Sequence, residues 1–299
     1  MYDIIIIGAG PAGLSAAIYA RRALKKVLVI EALSYGGQII NALKIDNYPS
    51  MPHVSGIDFA TNLYKQAKEL DCDFVFEKVE KIELGEDNKK IITLNNSYEA
   101  KAVIIATGCR NRKLNLENEE KFVGRGISYC ATCDGNFYRN QDVAVVGGGN
   151  TALEDALYLS DIARKVYIIH RRDEFRASEV DIIQVKEKAN IEFIYNSNVI
   201  KLIGEDNLKE IEVSNQDREV RNIPISGLFI AIGREPANEE FRKLVELDDD
   251  GYIIADEDCH TSCEGIFVAG DNRTKGLRQL VTATSDGAVA ATEAVKYIK

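Results

Sequence analysis

Residues 3–31, D-I-I-I-I-G-A-G-P-A-G-L-S-A-A-I-Y-A-R-R-A-L-K-K-V-L-V-I-E, return at residues 142–170 as D-V-A-V-V-G-G-G-N-T-A-L-E-D-A-L-Y-L-S-D-I-A-R-K-V-Y-I-I-H. The two stretches align without a gap, and nine of their 29 positions are identical. Each reads as a strand apolar on both faces, a glycine turn, an amphipathic helix and a second apolar strand. That order is a βαβ unit, and the chain carries it in duplicate.

The turn chemistry says what such a unit holds. Gly8, matched by Gly147, permits the tight turn from strand to helix. Gly10, matched by Gly149, has no side chain to keep a pyrophosphate off the backbone. Gly13, replaced by Ala152 in the second copy, lets helix and strand pack closely. A diphosphate then meets free N–H groups at the helix start, around Pro11 and Ala12 in one copy and Asn150 and Thr151 in the other. The fold class is therefore α/β, with two Rossmann-like dinucleotide-binding domains.

The second strand of each unit ends 23 residues after its first glycine, where the adenosine ribose is met. Glu31 stands there in the first unit, suited to accept hydrogen bonds from free ribose hydroxyls. In the second unit His170 stands there, followed by Arg171 and Arg172, with Arg176 one turn on. A carboxylate repels a 2′-phosphate, whereas guanidinium groups bind one bidentately. The first site is thus read as holding FAD and the second NADPH in preference to NADH.

Composition bounds the remainder. Of 299 residues, 45% are hydrophobic and 28% charged, a balance compatible with a sizeable buried core. The net charge of −10 argues against nucleic acid or an anionic membrane as partner. No apolar run approaches the length of a membrane span, and the chain enters a strand at once, so a cytoplasmic location is expected. Six cysteines, at 72, 109, 130, 133, 259 and 263, are too few and too scattered for a secreted disulfide scaffold. Cys72 and Cys109 read as ordinary buried or partly buried thiols.

Two echoes, K-A-V-I-I-A-T-G at 101–108 and S-G-L-F-I-A-I-G at 226–233, each read as the last strand of a dinucleotide domain. The simplest threading makes the FAD domain discontinuous, 1–110 and 243–299, with an NADPH domain inserted as 111–242. A hinge is then expected near Gly108–Lys113 and Arg234–Asn238.

These motifs, taken together, resemble the low-molecular-weight, flavin-dependent thioredoxin reductases. G-A-G-P-A-G (8–13), G-G-Q (36–38), N-Y-P (47–49), A-T-G (106–108) and C-A-T-C-D-G (130–135) carry the resemblance. G-G-G-N-T-A (147–152), H-R-R-D-E-F-R (170–176), A-G-D (269–271) and R-Q-L-V-T-A (278–283) complete it. By that resemblance Gly36, Gly37, Gln38 and Asn47 line the flavin, with Ala106, Thr107 and Gly108, and with Gly270, Asp271, Arg278 and Gln279. The segment L-N-L-E-N-E-E after residue 113 lacks the proline-glycine turn often found there, and Cys109 and C-H-T-S-C (259–263) add thiols the family does not require.

With a flavin and a nicotinamide site in one chain, the Cys130–Cys133 pair gains an electron source. Hydride passes from NADPH to the flavin, the flavin reduces the pair, and the resulting thiolate attacks a protein disulfide. Asp134 is placed to shuttle the proton. The resemblance implies thioredoxin or a thioredoxin-like protein as acceptor, a homodimer, and rotation of one domain against the other. Three other readings stand beside this one. The flavin and pair could serve ferredoxin or oxygen, the chain could be a catalytically silent redox sensor, or Cys130, Cys133, Cys259 and Cys263 could hold zinc. The intact second glycine turn speaks against the ferredoxin case. The unequal CxxC and CxxxC spacings speak against the metal.

Overall fold

The computed structural model describes residues 1–42 and 44–299, which fall into two compact units, Met1–Arg110 with Glu235–Lys299, and Asn111–Arg234. The first unit opens with strand β1 (Tyr2–Ile7), helix α1 (Pro11–Arg22), β2 (Val27–Glu31), α2 (Gly56–Glu69), β3 (Asp73–Phe76), β4 (Val79–Leu84), β5 (Lys89–Thr93) and β6 (Ser97–Ile105). The chain leaves through β7 (Cys109–Asn111). The second unit holds α3 (Glu119–Phe122), β8 (Ile127–Ser128), α4 (Ala131–Asp134), β9 (Asp142–Val146), α5 (Asn150–Ser160) and β10 (Lys165–Ile169). It continues with α6 (Glu179–Glu187), β11 (Ile191–Ile194), β12 (Ser197–Gly204), β13 (Leu208–Asn215), β14 (Val220–Pro224) and β15 (Gly227–Ile230). Strand β16 (Arg234–Pro236), β17 (Ile266–Val268) and α7 (Leu280–Tyr297) complete the chain.

The apolar runs become central strands. β1 pairs in parallel with β2 on one side and β6 on the other, Ile6 facing Val29 and Ile104. Strand order in that seven-stranded sheet is β3-β2-β1-β6-β5-β4, with β17 also on β6. Ile4 and Ile6 pack toward α1 and α7, against Leu14, Ala17, Ala290 and Ala294. Ile5 and Ile7 pack on the opposite face, with Phe241, Val245 and Ile253. A strand covered on both faces has no polar positions, which is why the run does not alternate. The second unit repeats the plan in a parallel sheet, β11-β10-β9-β15-β8. Val143 and Val145 face α5 through Leu153, Ala156 and Leu159. Ala144 and Val146 face an antiparallel sheet, β12-β13-β14, through Val199, Ile211 and Val213.

The strands on which the chain passes between units, β7 and β16, pair with each other. The sequence placed the return to the first unit at residue 243; the compact units part at 234/235 instead. The intervening residues are fastened to the first unit. The Asn238 side chain donates to the carbonyls of Gly251 and Asn272 at 2.9 and 2.8 Å, and Phe241 is buried in its core.

Candidate redox and nucleotide site

The two glycine turns are built alike. Gly8 and Gly147 both have positive φ, +109° and +154°. A Cβ on either would lie 2.3 Å from a carbonyl oxygen, that of Ala106 and of Ala231 respectively. These two glycines are therefore demanded by the fold. Gly13 is demanded too, since a Cβ would sit 1.9 Å from the Gly8 carbonyl oxygen. In the second copy that requirement is relaxed, and Ala152 takes the place.

Gly10 and Gly149 are different. Each caps its helix with extended backbone open to any residue, φ −75° and −99°. Among the described residues a Cβ on Gly149 meets nothing within 4 Å, and one on Gly10 only Gly37 Cα at 4.0 Å. The protein itself has no use for a glycine at either point. A ligand that comes against the backbone does, and a diphosphate over the free N–H groups of the first turn fits both cradles.

Around the first cradle, Pro11 occupies the first turn of α1, and the Glu31 carboxylate accepts from Ala9 N at 2.8 Å and Leu33 N at 3.0 Å. Gly36 and Gly37 have positive φ and lead into a short 3₁₀ turn, Gly37–Asn41, that exposes Gln38. Asn47 donates to Gln279 Oε1 at 3.0 Å, joining the N-Y-P segment to the residue that caps α7. Ala106 is buried, and Thr107 accepts from Asn272 at 3.1 Å. Gly108 has φ +67°. The A-G-D turn lies close to α1, because a Cβ on Gly270 would be 2.9 Å from that of Ala12. Arg278 donates to the Asp271 carbonyl at 3.3 Å and stacks over Tyr252 at 4.0 Å. All these residues lie in the first unit.

Sequence reasoning missed what braces that turn. Asp286 accepts from Gly270 N at 3.0 Å, from Arg273 Nε at 2.9 Å and from Lys275 Nζ at 2.7 Å. The three side chains are only 9%, 6% and 8% exposed. Burial pushes the Asp286 carboxyl up, but the Arg273 and Lys275 bonds outweigh it and hold the group below its ordinary value.

In the second unit Asn150 accepts from Ser178 N at 2.9 Å, and Thr151 is exposed on the first turn of α5. Arg176 N bonds the Gly148 carbonyl at 2.7 Å, which holds the arginine segment beside the glycine turn. Arg171 and Arg176 are exposed and Arg172 partly so, and none of the three makes an ion pair among the described residues. His170, the first residue of the cluster, is turned inward. It is 7% exposed, its Nε2 bonds the Glu174 carbonyl at 3.0 Å, and burial lowers its pKa. A Cβ on Gly148 would strike its ring at 2.2 Å. The histidine supports the turn from below, and Gly148 leaves room for its ring; the more exposed members of the cluster are the three arginines.

Cys130 and Cys133 form a disulfide, with Cα atoms 5.3 Å apart, across the single turn of α4. Ser128 Oγ donates to Asp134 Oδ2 at 2.6 Å and accepts from Cys130 N at 3.1 Å. Burial raises the Asp134 pKa, with the Ser128 bond opposing it. Beneath the turn runs α5. A Cβ on Gly135 would meet Tyr158 and Leu159 at 3.0 and 3.1 Å. One turn earlier on α5, burial pushes the Asp155 carboxyl up to about 7, against the nearby Arg234. Glu119, also missed, accepts from Leu114 N, Leu116 N and the Tyr129 hydroxyl at 3.0, 3.3 and 2.9 Å, and so ties the L-N-L-E segment to the strand entering the disulfide.

Among the described residues the other four cysteines form no disulfide. Burial pushes Cys72 and Cys259 up to about 12, and Cys109 donates to the Asp271 carbonyl at 2.6 Å.

The pyridine nucleotide-disulphide oxidoreductase family matches residues 2–287. A thioredoxin reductase of Listeria monocytogenes is 41% identical, spanning 100% of this chain and 94% of the relative. The crystal structure of thioredoxin reductase from Streptococcus pyogenes superposes with a TM-score of 0.95 at 41% identity, covering 99% of this chain and 98% of that one. Thioredoxin reductase from Giardia duodenalis gives a TM-score of 0.93 at 34% identity, over 99% and 98%. Two glycine cradles, a disulfide on the turn before the second, and likeness along both chains lead to one conclusion: this chain belongs to the pyridine nucleotide-disulphide oxidoreductases, with the low-molecular-weight thioredoxin reductases.

Proposed function

We propose that the chain is an NADPH-dependent flavoenzyme that reduces the disulfide of thioredoxin, or of a thioredoxin-like protein, through Cys130 and Cys133. The observation that carries this reading is the Cys130–Cys133 disulfide, set in the same unit as a cradle where a Cβ on Gly149 would meet nothing among the described residues. Bound NADPH and FAD supply the hydride relay that brings two electrons to the pair.

The first unit is assigned to FAD. Gly8, Gly10, Pro11, Ala12 and Gly13 cradle its diphosphate and Glu31 meets its ribose. Gly36, Gly37, Gln38, Asn47, Ala106–Gly108, Gly270, Asp271, Arg278 and Gln279 line the rest. The second unit is assigned to NADPH, held by Gly147, Gly149 and Asn150–Ala152, with Arg171, Arg172 and Arg176 on the 2′-phosphate. Asp134 is assigned the proton transfer beside the pair, its carboxyl raised by burial against the opposing Ser128 bond. A homodimer is proposed from the resemblance, and a cytoplasmic location from one bonded cysteine pair among six.

The test is anaerobic. NADPH bleaches the flavin absorbance of the purified protein quickly and NADH only feebly, and added oxidised thioredoxin restores the colour. Bleaching without recovery would remove thioredoxin as acceptor; no bleaching by either nucleotide would remove NADPH as donor.

A further inference from the structure

We propose that Ser128 is a positioning residue whose hydroxyl changes hydrogen-bond acceptor as Asp134 gains and loses a proton, and so keeps that carboxyl docked on the disulfide turn in both states. The inference rests on the reading of Asp134 as the proton carrier of the pair. Ser128 ends β8, where its neighbour in the parallel sheet is Phe229 of β15, and it is only 4% exposed. The strand thus fixes where the hydroxyl stands. Its Oγ lies 2.6 Å from Asp134 Oδ2, 3.1 Å from Cys130 N and 3.3 Å from the Cys130 carbonyl oxygen. One side chain outside the turn therefore touches both ends of C-A-T-C-D, at Cys130 where the turn begins and at Asp134 where it closes.

A hydroxyl has one hydrogen and two lone pairs, and Cys130 N engages one lone pair in every state. With Asp134 ionised, the hydrogen points to Oδ2, the shorter contact and the charged acceptor. With Asp134 protonated, the carboxyl donates to Oγ through the second lone pair, and the hydroxyl hydrogen turns to the Cys130 carbonyl. That carbonyl already accepts from Asp134 N at 3.1 Å and has a lone pair to spare. Every donor keeps an acceptor in both arrangements, so a buried carboxyl titrates without stranding a polar atom. No cation offsets the burial of Asp134 among the described residues; the Ser128 bond alone opposes it. Tyr138, in the 3₁₀ turn that follows, has its hydroxyl pushed up to about 12 by burial and by the Asp134 charge, and stays neutral where Asp134 titrates. Helix α5, which packs Tyr158 and Leu159 under Gly135, also carries Asp155, whose own carboxyl is pushed up to about 7.

The test is an infrared pH titration of the oxidised, FAD-loaded chain. It needs neither nucleotide nor thioredoxin, so a failure of turnover with thioredoxin is a separate result that strikes the reading of the pair and not the switch. The protonated-carboxyl band of Asp134 is assigned by difference against Asp134→Asn, which also sets aside the band of Asp155. Ser128→Ala removes the donor to the carboxylate and should move the midpoint of the Asp134 band up by roughly one pH unit, about tenfold in proton affinity. Ser128→Thr keeps a hydroxyl and should restore the wild-type midpoint. A residue that merely packs the turn gives the opposite sign, because loosening lets water in and brings the midpoint down toward that of an ordinary aspartic acid. An unchanged or lower midpoint in Ser128→Ala overturns the proposal, as does a Ser128→Thr chain that behaves like Ser128→Ala. So does the absence of any carboxyl band removed by Asp134→Asn. If Ser128→Ala does not fold, the wild type decides. With carbonyl-labelled cysteine, the Cys130 carbonyl stretch should fall in frequency as Asp134 is protonated and stay fixed in Asp134→Asn; a stretch that ignores the Asp134 titration overturns the proposal.

Discussion

Gly147 and Gly149 stand two residues apart and answer to different masters. Gly147 has φ +154° and a carbonyl oxygen where its Cβ would be, so Gly147→Ala should lower the thermal midpoint of the chain by several degrees. Gly149→Ala should leave that midpoint within about a degree while weakening NADPH binding tenfold or more, read by quenching of the bound flavin. A large fall in the midpoint for Gly149→Ala would mean that the glycine serves the fold after all. The arginines give a second residue-scale expectation. Charge-assisted contacts are each worth roughly 1.5–3 kcal/mol, so Arg171→Ala with Arg172→Ala should raise the KM for NADPH by more than tenfold. The KM for NADH should hardly move. Equal losses for both nucleotides would sink the assignment of these groups to the 2′-phosphate.

At the scale of elements, what could be read in advance was whatever a repeat or a period encodes. Four consecutive isoleucines followed by G-A-G-P-A-G dictate a doubly covered strand feeding a helix, and β1 and α1 are that. The cysteine spacing announced a bonded pair or a ligand pair, and the structure shows the bond. Side-chain direction was not legible. His170 occupies the ribose position by count but turns under Gly148, a choice made by burial and the Glu174 carbonyl. Asp286 and Gly270 lie 16 residues apart on separate elements, and no local pattern joins them. Asp286 makes a prediction at this scale. Its folded pKa is held below the unfolded value, so its contribution is present above about pH 4 and is lost as pH falls through the folded value. Asp286→Asn strands two buried cations and should cost about 3–5 kcal/mol near pH 7, measured by urea unfolding of the flavin-free chain. The gap to wild type should close as the solution is taken below pH 4. A gap independent of pH would show that shape, not charge, holds the turn.

For the whole molecule, two units of similar plan lie along one chain, and the second interrupts the first. Each has its own sheet covered on both faces. Residues 111–234, expressed alone, should therefore fold cooperatively, keep the Cys130–Cys133 bond and bind a 2′-phosphorylated adenosine nucleotide without flavin. Calorimetry of the fragment checks the first point and titration with 2′,5′-ADP the last; a fragment without a thermal transition would mean that its fold leans on the first unit. The return point, missed by eight residues in the sequence, shows why nested units are hard to delimit. The segment R-E-P-A-N-E-E-F has neither strand nor helix period, and only the bonds of Asn238 and the burial of Phe241 assign it to a side.

The pairing of β7 with β16 sets the way in and the way out side by side. A gene segment spliced at such a doorway changes the host's threading nowhere else. The stretch between the two strands could thus be exchanged, or replaced by a short turn, without re-threading the first unit.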